Sequence, residues 1–193
     1  MGVSLTKGGD APLAGPHLSK VLVALGWRSL DVTGRDVDLD ASALMVGRSG
    51  RVLSDEHFVF YNNLKSPDTS VEHKGDNRVG AGAAEQDCET ILIDLAAVPP
   101  RCVRILFPVS IYDGERTGQT FGQVRDAYIR VVDEATADEV VRYDLTEDYA
   151  KDSAVIFGEL FRQGDQWRFR AVGDGYSQGL RAIAVGYGVN VSS

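Results

Sequence analysis

The sequence predicts an all-β fold, a sandwich of two sheets followed by a short C-terminal helix. Apolar and β-branched segments of strand length recur along the chain, and turn residues separate them. Two connections between predicted strands have the composition of hairpin turns, and the apolar residues near the C-terminus recur at helical spacing. The predicted strands are residues 20–27, 39–46, 58–62, 90–95, 103–112, 127–132, 139–145, 154–161 and 166–172.

Residues 133–138 and 162–165 are expected to form the two hairpin connections. A C-terminal helix is predicted over 177–187, because Leu180, Ile183, Ala184 and Tyr187 recur at helical spacing. The glycines within 173–175 are expected to break the chain before this helix. Residues 63–87 form the longest stretch without a strand pattern, and such long loops are usually functional or disordered.

Length and composition predict one domain over residues 1–193, which would bury about 70% of its unfolded surface. A net charge of −8 argues against nucleic-acid binding, which requires basic residues to neutralise phosphates. The N-terminus lacks an apolar signal region, and no segment is apolar enough to span a membrane. We therefore expect a soluble cytoplasmic protein, in which Cys88 and Cys102 stay reduced.

Three aspartates spaced two residues apart, Asp36, Asp38 and Asp40, suggest a cation site. In an extended chain alternate side chains share a face, so these carboxylates would stand about 7 Å apart and repel one another. A divalent ion would relieve that repulsion. Oxygen ligands suit calcium, whereas softer metals prefer the imidazole and thiolate ligands that are scarce in this part of the chain.

Oxygen-bearing side chains return further along the chain and predict that the site is built from separate loops. An EF-hand is excluded, because Ala41 and Gly47 stand where that loop needs glycine and glutamate. The alternative is a solvent-facing acidic strand and a polar connection, and the second acidic segment favours the metal site. That segment and its approach contain Asn62, Asn63, Asp68, Glu72, Asp76, Asn77, Glu85, Asp87 and Glu89.

Motifs for nucleophilic catalysis and phosphate binding receive no support. Ser177, within Gly175-Tyr176-Ser177-Gln178-Gly179, sits in no nucleophile-elbow context, and the glycines near Gly80 lack the Gly-Lys-Ser/Thr ending of a phosphate loop. A metal-dependent hydrolase, in which bridged carboxylates hold ions that activate water, stays an alternative. A calcium-dependent docking module for anionic phospholipid or a partner protein is a further one.

The chain resembles the TerD family of tellurium-resistance and stress proteins over nearly its whole length. The similarity rests on long motifs that occur in the family's order. These motifs are MGVSL at the start, DLDASA from Asp38, FVFYNNLKSPD from Phe58, EH-x-GDNR from Glu72, FGQV from Phe121, IFGEL from Ile156 and W-x-FRAVG from Trp167.

The resemblance implies a β-sandwich that binds calcium, with two ions expected, through acidic loops and has no established enzymatic activity. Carried over by motif, the implied ligands are Asp38, Asp40, Asn62, Asn63, Asp68, Asp76 and Asn77, with Asp36 and Glu72 as further candidates. The chain departs from the family after Arg78, where the usual acidic run is less dense. If Asp87 and Glu89 match its outer acids, Cys88 replaces the middle one, and a weaker site or a contribution from Glu85 is expected.

The leading hypothesis is therefore a non-enzymatic calcium-binding protein of a bacterial stress response, associated by resemblance with tellurite resistance. Its expected partners are calcium ions and other stress-response proteins.

Overall fold

The computed structural model describes residues 2–15, 18–29, 37–76, 87–147 and 149–191. Within these residues the chain forms two β-sheets packed face to face, and a short helix follows the last strand. The predicted fold class is confirmed. Asp36, Asn77 and Glu85, which the sequence offers as ligands, lie outside the described residues.

The strands are β1 (Val3–Leu5), β2 (Asp10–Pro12), β3 (Lys20–Ser29), β4 (Leu39–Ala41), β5 (Ala43–Gly47), β6 (Phe58–Val59), β7 (Val71–Asp76), β8 (Glu89–Asp94), β9 (Cys102–Ile111), β10 (Val124–Asp133), β11 (Glu139–Asp144), β12 (Ala154–Gln163) and β13 (Gln166–Tyr176). The helices are α1 (Gly114–Thr117) and α2 (Gly179–Gly186). Short 3₁₀ turns precede β6 and β10.

The first sheet has the strand order β1-β11-β10-β3-β8-β7, and among its described strand pairs β1–β11 alone is parallel. The second sheet has the order β2-β13-β12-β9-β5-β6. The short strand β4 also pairs with β9, so that Leu39 lies opposite Ile111. The two predicted hairpins are observed as β10–β11 and β12–β13.

Apolar side chains fill the space between the sheets. Fully buried members of this core include Leu25, Ile91, Phe107 and Phe157, and their removal from water supplies the main driving force for folding. A second, smaller cluster lies on the outer face of the second sheet, where Ile183 and Ala184 of α2 contact residues of that sheet. The predicted C-terminal helix therefore covers one face of the sandwich.

All nine predicted strands occur, but one is interrupted. Residues 39–46 contain both β4 and β5, because the backbone N–H and the hydroxyl of Ser42 both donate to the carbonyl of Pro108, each at 2.9 Å. The predicted break at 173–175 is wrong. Strand β13 runs on to Tyr176, and Gly173 is accommodated at φ +66° beside a register shift in the ladder.

The expectation of a strand-free segment over 63–87 is also wrong, because it contains β7. Val71 and His73 point inward while Glu72 and Lys74 point toward solvent, so a histidine occupies a position where the pattern would show an apolar residue. Gly75, at φ +78°, further weakens the strand pattern. On the edge away from β8, β7 is held by the preceding loop, because the N–H of Ser66 donates to the carbonyl of Val71 at 2.9 Å and the N–H of His73 donates to the carbonyl of Leu64 at 2.8 Å.

Several strand ends meet at one end of the sandwich, which we call the acidic end. Strand β3 finishes there, since Leu25 lies opposite Glu89 at the start of β8. Strand β7 also finishes there with Asp76, and β4 pairs with the final residues of β9. The β12–β13 hairpin, which contains Asp165, lies at the opposite end.

We predict that Gly158→Ala destabilises the fold by about 1–3 kcal/mol. A Cβ at Gly158 would lie 2.4 Å from Cζ of Phe169, which is fully buried and cannot move aside. Gly186→Ala is the matched control, because a Cβ at Gly186 meets nothing within 4 Å and alanine favours helices by up to about 1 kcal/mol. Urea denaturation measures both, and equal stability of the two variants would contradict the packing.

Candidate metal centre

Strand β4 and the residue before it, Asp38, present two carboxylates on the outer side of the second sheet. Asp38 is exposed and Asp40 half-buried, whereas the alternating residues Val37, Leu39 and Ala41 are at most 3% exposed. The carbonyl of Asp38 accepts the N–H of Tyr112, which fixes the strand against the end of β9. The inward residues anchor the strand in the core, and the aspartates therefore stand side by side on its other face.

A buried carboxylate joins β4 to the second acidic segment. Glu89, only 3% exposed, accepts a short hydrogen bond from the backbone N–H of Ala41. Across the β7–β8 ladder Glu89 is paired with Asp76. The contact crosses from the first sheet to the second, and it brings the backbone of Asp76 close to Asp40, 36 residues away in sequence.

His73 completes this buried connection. Its Nε2 lies 3.8 Å from Oε2 of Glu89, and its Nδ1 accepts the N–H of Gly75 at 3.0 Å. Burial alone would lower the pKa of His73, but the nearby carboxylate of Glu89 outweighs it and raises the pKa above its usual value. The charge of Asp40 acts in the same direction, which also places Asp40 within electrostatic range of His73.

The carboxylate of Asp68 is held inside its own loop. Oδ1 accepts hydrogen bonds from the hydroxyls of Ser66 and Ser70 and from the Ser70 N–H, and Oδ2 lies 3.2 Å from Nε2 of His57. Burial alone would raise the pKa of Asp68, but the hydrogen bonds from the serines lower it. One oxygen of this carboxylate, Oδ1, is therefore fully engaged by its own loop.

Three other predicted ligands lie around this loop. Asn62 is exposed, and Asn63 donates its amide to the carbonyls of Glu56 and Phe58 at 3.0 and 2.7 Å. Glu72 points to solvent on β7 and lies 3.4 and 3.5 Å from Lys74 and Lys65. Burial alone would raise the pKa of Glu72, but the charges of these two lysines lower it.

Asp87 is engaged by a cation on the outer face of the first sheet. Arg130 binds it in a two-pronged arrangement, through Nε at 2.9 Å and Nη2 at 2.7 Å, and the hydroxyl of Tyr128 donates to it at 2.9 Å. The ion pair neutralises the Asp87 charge. Cys88, which follows it, lies with Sγ 4.0 Å from the carbonyl of Trp27.

The described residues alone do not form a complete metal cage. Among them, no three Asp, Glu, His or Cys side chains lie close enough together to hold an ion. The donors near β4 are nevertheless those a hard cation requires, because Asp38 and Asp40 offer carboxylate oxygens while His73 is buried. The residues present therefore fit calcium better than a softer metal.

A cleft of about 500 Å³ opens beside Asp40, and the sequence alone does not predict it. Tyr61, Tyr112 and the first residues of α2 line it. The rings of Tyr61 and Tyr112 lie edge to face with centroids 6.3 Å apart. The motif FVFYNN contains Tyr61, but nothing in the spacing indicates that β9 would bring Tyr112 alongside it.

Comparison with known proteins decides the family. The model described as the TerD domain matches residues 1–187. The chain belongs to the TerD family. This TerD-family chain is 48% identical to "Tellurium resistance protein TerD" of Serratia marcescens, over 100% of both chains. It is also 44% identical to "General stress protein 16U" of Bacillus subtilis, over 99% of this chain and 100% of that one.

A solved structure shares the fold of this TerD-family chain. The crystal structure of a homologue of telluride resistance protein (TerD) from Streptomyces coelicolor superposes with a TM-score of 0.64, covering 86% of this chain and 95% of that one at 21% identity. At that identity the likeness shows the fold alone. Within the part of the chain that the structure describes, no helix has the length and apolar character needed to cross a bilayer.

We predict that the two buried histidines give opposite pH dependences to the free energy of unfolding. Burial lowers the pKa of His57 despite the opposing charge of Asp68, so the unfolded chain binds the extra proton and stability falls as pH drops below about 6.5. The raised pKa of His73 stabilises the protein at low pH, and this stabilisation is lost as pH rises through its folded-state pKa.

Urea denaturation between pH 5 and 8 in the presence of chelator measures both effects. His57→Gln should flatten the loss of stability toward low pH, and His73→Asn should flatten the loss toward high pH. Parallel pH profiles for the wild type and both variants would contradict the assigned environments.

Proposed function

We propose that this protein is a non-enzymatic calcium-binding protein that acts in resistance to tellurite and related stress in the bacterial cytoplasm. The ion is held at the acidic end by Asp38 and Asp40 together with oxygens of the segment that begins at Asp76. That segment includes Asn77 and Glu85, and Asp36 adds a further carboxylate. Two ions are proposed, as the resemblance to the family implies.

One observation carries the proposal: the contact between Glu89 and the Ala41 N–H joins the two acidic segments that the sequence keeps apart. Carboxylates brought together in this way repel one another unless a cation neutralises them. We leave Asp68 and Asp87 out of the proposed set, because Ser66 and Ser70 already donate hydrogen bonds to Asp68 and Arg130 compensates the charge of Asp87. Glu89 is buried and already accepts the Ala41 N–H, so in this proposal it positions the ligands and does not bind the ion.

Calcium would act by stabilising one arrangement of the acidic end. The ion adds positive charge beside Asp38 and Asp40, and it binds the folded chain in preference to the unfolded one. The non-enzymatic part of the proposal is supported by the resistance and stress-response names of the relatives. In this proposal the ordered surface protects the cell by binding a further molecule.

We predict that calcium at about 100 times its dissociation constant raises the stability by about 2.7 kcal/mol. For a protein of 193 residues this corresponds to a rise in melting temperature of about 5 to 10 °C over the value in chelator. Magnesium at the same concentration is the control, since it demands a tighter octahedral site and dehydrates reluctantly. Identical melting temperatures with calcium and with chelator would reject the proposal.

The double variant Asp38→Asn/Asp40→Asn should lose most of the calcium-induced rise in melting temperature. Asparagine keeps the size and one oxygen but removes the charge that holds the ion. Asp165→Asn is the matched control, because it removes an exposed carboxylate at the opposite end of the sandwich. A rise that is unchanged in the double variant, or equally reduced in the control, would place the ion elsewhere.

We also expect the double variant to fail in cells. In a bacterium whose tellurite resistance depends on a TerD protein, expression of the wild-type chain should restore growth on tellurite, and the Asp38→Asn/Asp40→Asn variant should not. Immunoblotting checks that both proteins accumulate equally. Full resistance from the variant would separate calcium binding from the stress function.

A further inference from the structure

The cleft beside Asp40 has the features of a ligand site. It holds about 500 Å³ and lies between the outer face of the second sheet and the first turn of α2. A volume of this size suits a small organic molecule. Asp40 forms part of its wall, so any ion held by that residue would adjoin the cleft.

Ser110 supplies a buried hydroxyl that the described protein residues leave unused. It is 6% exposed and lines the cleft, and it lies opposite both Asp40 and Ala154 in the sheet. Its neighbours Val109 and Ile111 point into the core, so the Ser110 side chain points outward, toward the cleft. Its hydroxyl makes no hydrogen bond with any described residue and is accessible from the cleft, so it can donate to a ligand there.

The first turn of α2 contributes uncompensated positive charge. The side chain of Gln178 makes no capping hydrogen bond, and the turn holds no acidic residue. Arg181 lies in this turn and lines the cleft. The N-terminus of a helix carries a partial positive charge, so it repels the guanidinium of Arg181. Among the described residues Arg181 has no ion-pair partner, so a bound anion would relieve this repulsion.

Two tyrosine rings form the mouth of the cleft. Tyr61 and Tyr112 are 48% and 56% exposed, which is unusual for large aromatic side chains, and both line the cleft. Exposed rings of this kind provide stacking or edge-to-face contacts for a planar group. Asp113, which also lines the cleft, is paired with Arg116 and adds little net charge.

We propose that this cleft binds a small molecule that carries an oxyanion group, phosphate or carboxylate, on a planar ring. The Ser110 hydroxyl, Arg181 and the free N–H groups of α2 hold the oxyanion, and Tyr61 and Tyr112 hold the ring. The proposal rests on the proposed function in one respect: calcium neutralises Asp40, which would otherwise repel the ligand. Ligand affinity should therefore rise when calcium is bound.

Isothermal titration of the full chain with phenyl phosphate, with and without calcium, tests this inference. We expect calcium-dependent binding that weakens about tenfold or more in Arg181→Ala, because a charge-assisted hydrogen bond is lost. Arg181→Ala should bind calcium normally. Arg48→Ala is the matched control, because it removes an exposed arginine that follows β5 at the other end of the sheet.

Further probes define the ligand class. Phenylacetate in place of phenyl phosphate distinguishes a carboxylate from a phosphate, and inorganic phosphate should bind more weakly than either because it lacks the ring. Benzylamine carries the ring with a cation and should not bind. Equal affinity of wild type and Arg181→Ala for phenyl phosphate, or tighter binding of benzylamine, would overturn the proposal.

Asp40→Asn separates this inference from the calcium proposal. The variant removes the negative charge from the cleft wall, so it should bind phenyl phosphate without calcium more tightly than the wild type does. If calcium binds neither protein but this difference appears, the proposed function fails and the ligand site stands. If calcium binds the wild type and phenyl phosphate binds neither protein, the ligand site fails and the proposed function stands.

Discussion

The hydrogen bond from the Ala41 N–H to the buried carboxylate of Glu89 is the constraint on which the acidic end depends. It joins β8 of the first sheet to β4 of the second sheet at the acidic end. A buried charge is costly unless it is paired or hydrogen-bonded, and His73 at 3.8 Å provides the second compensating group. The fold therefore fixes Asp38 and Asp40 relative to the end of β7 by means of buried groups.

The strands were predictable where the chain alternates or runs apolar over six or more residues, as in β3, β9 and β12. Strand β7 was missed because a histidine takes an inward position and its buried partner, Glu89, belongs to another strand. The end of β13 was misplaced because glycine is read as a breaker, although here Gly173 fits a register shift within the ladder. In both cases a tertiary contact overrode the local pattern.

The site could be predicted only where local alternation determines it. Alternation along β4 shows from sequence alone that Asp38 and Asp40 share a face, whatever surrounds them. The engagement of Asp87 depends instead on Arg130, which lies 43 residues away, and spacing does not reveal such a pairing. The cleft was unpredictable because Ser110, Tyr61 and Arg181 come from three separate elements.

Crystallography of the calcium-loaded protein is the most direct measurement of whether distant acids share one ion. We expect density for an ion with oxygens of Asp38 or Asp40 at about 2.3–2.6 Å and at least one further oxygen from the segment that begins at Asp76. Calcium bound only away from β4, or ligated by β4 with no oxygen from that segment, would contradict the convergence of the two acidic segments.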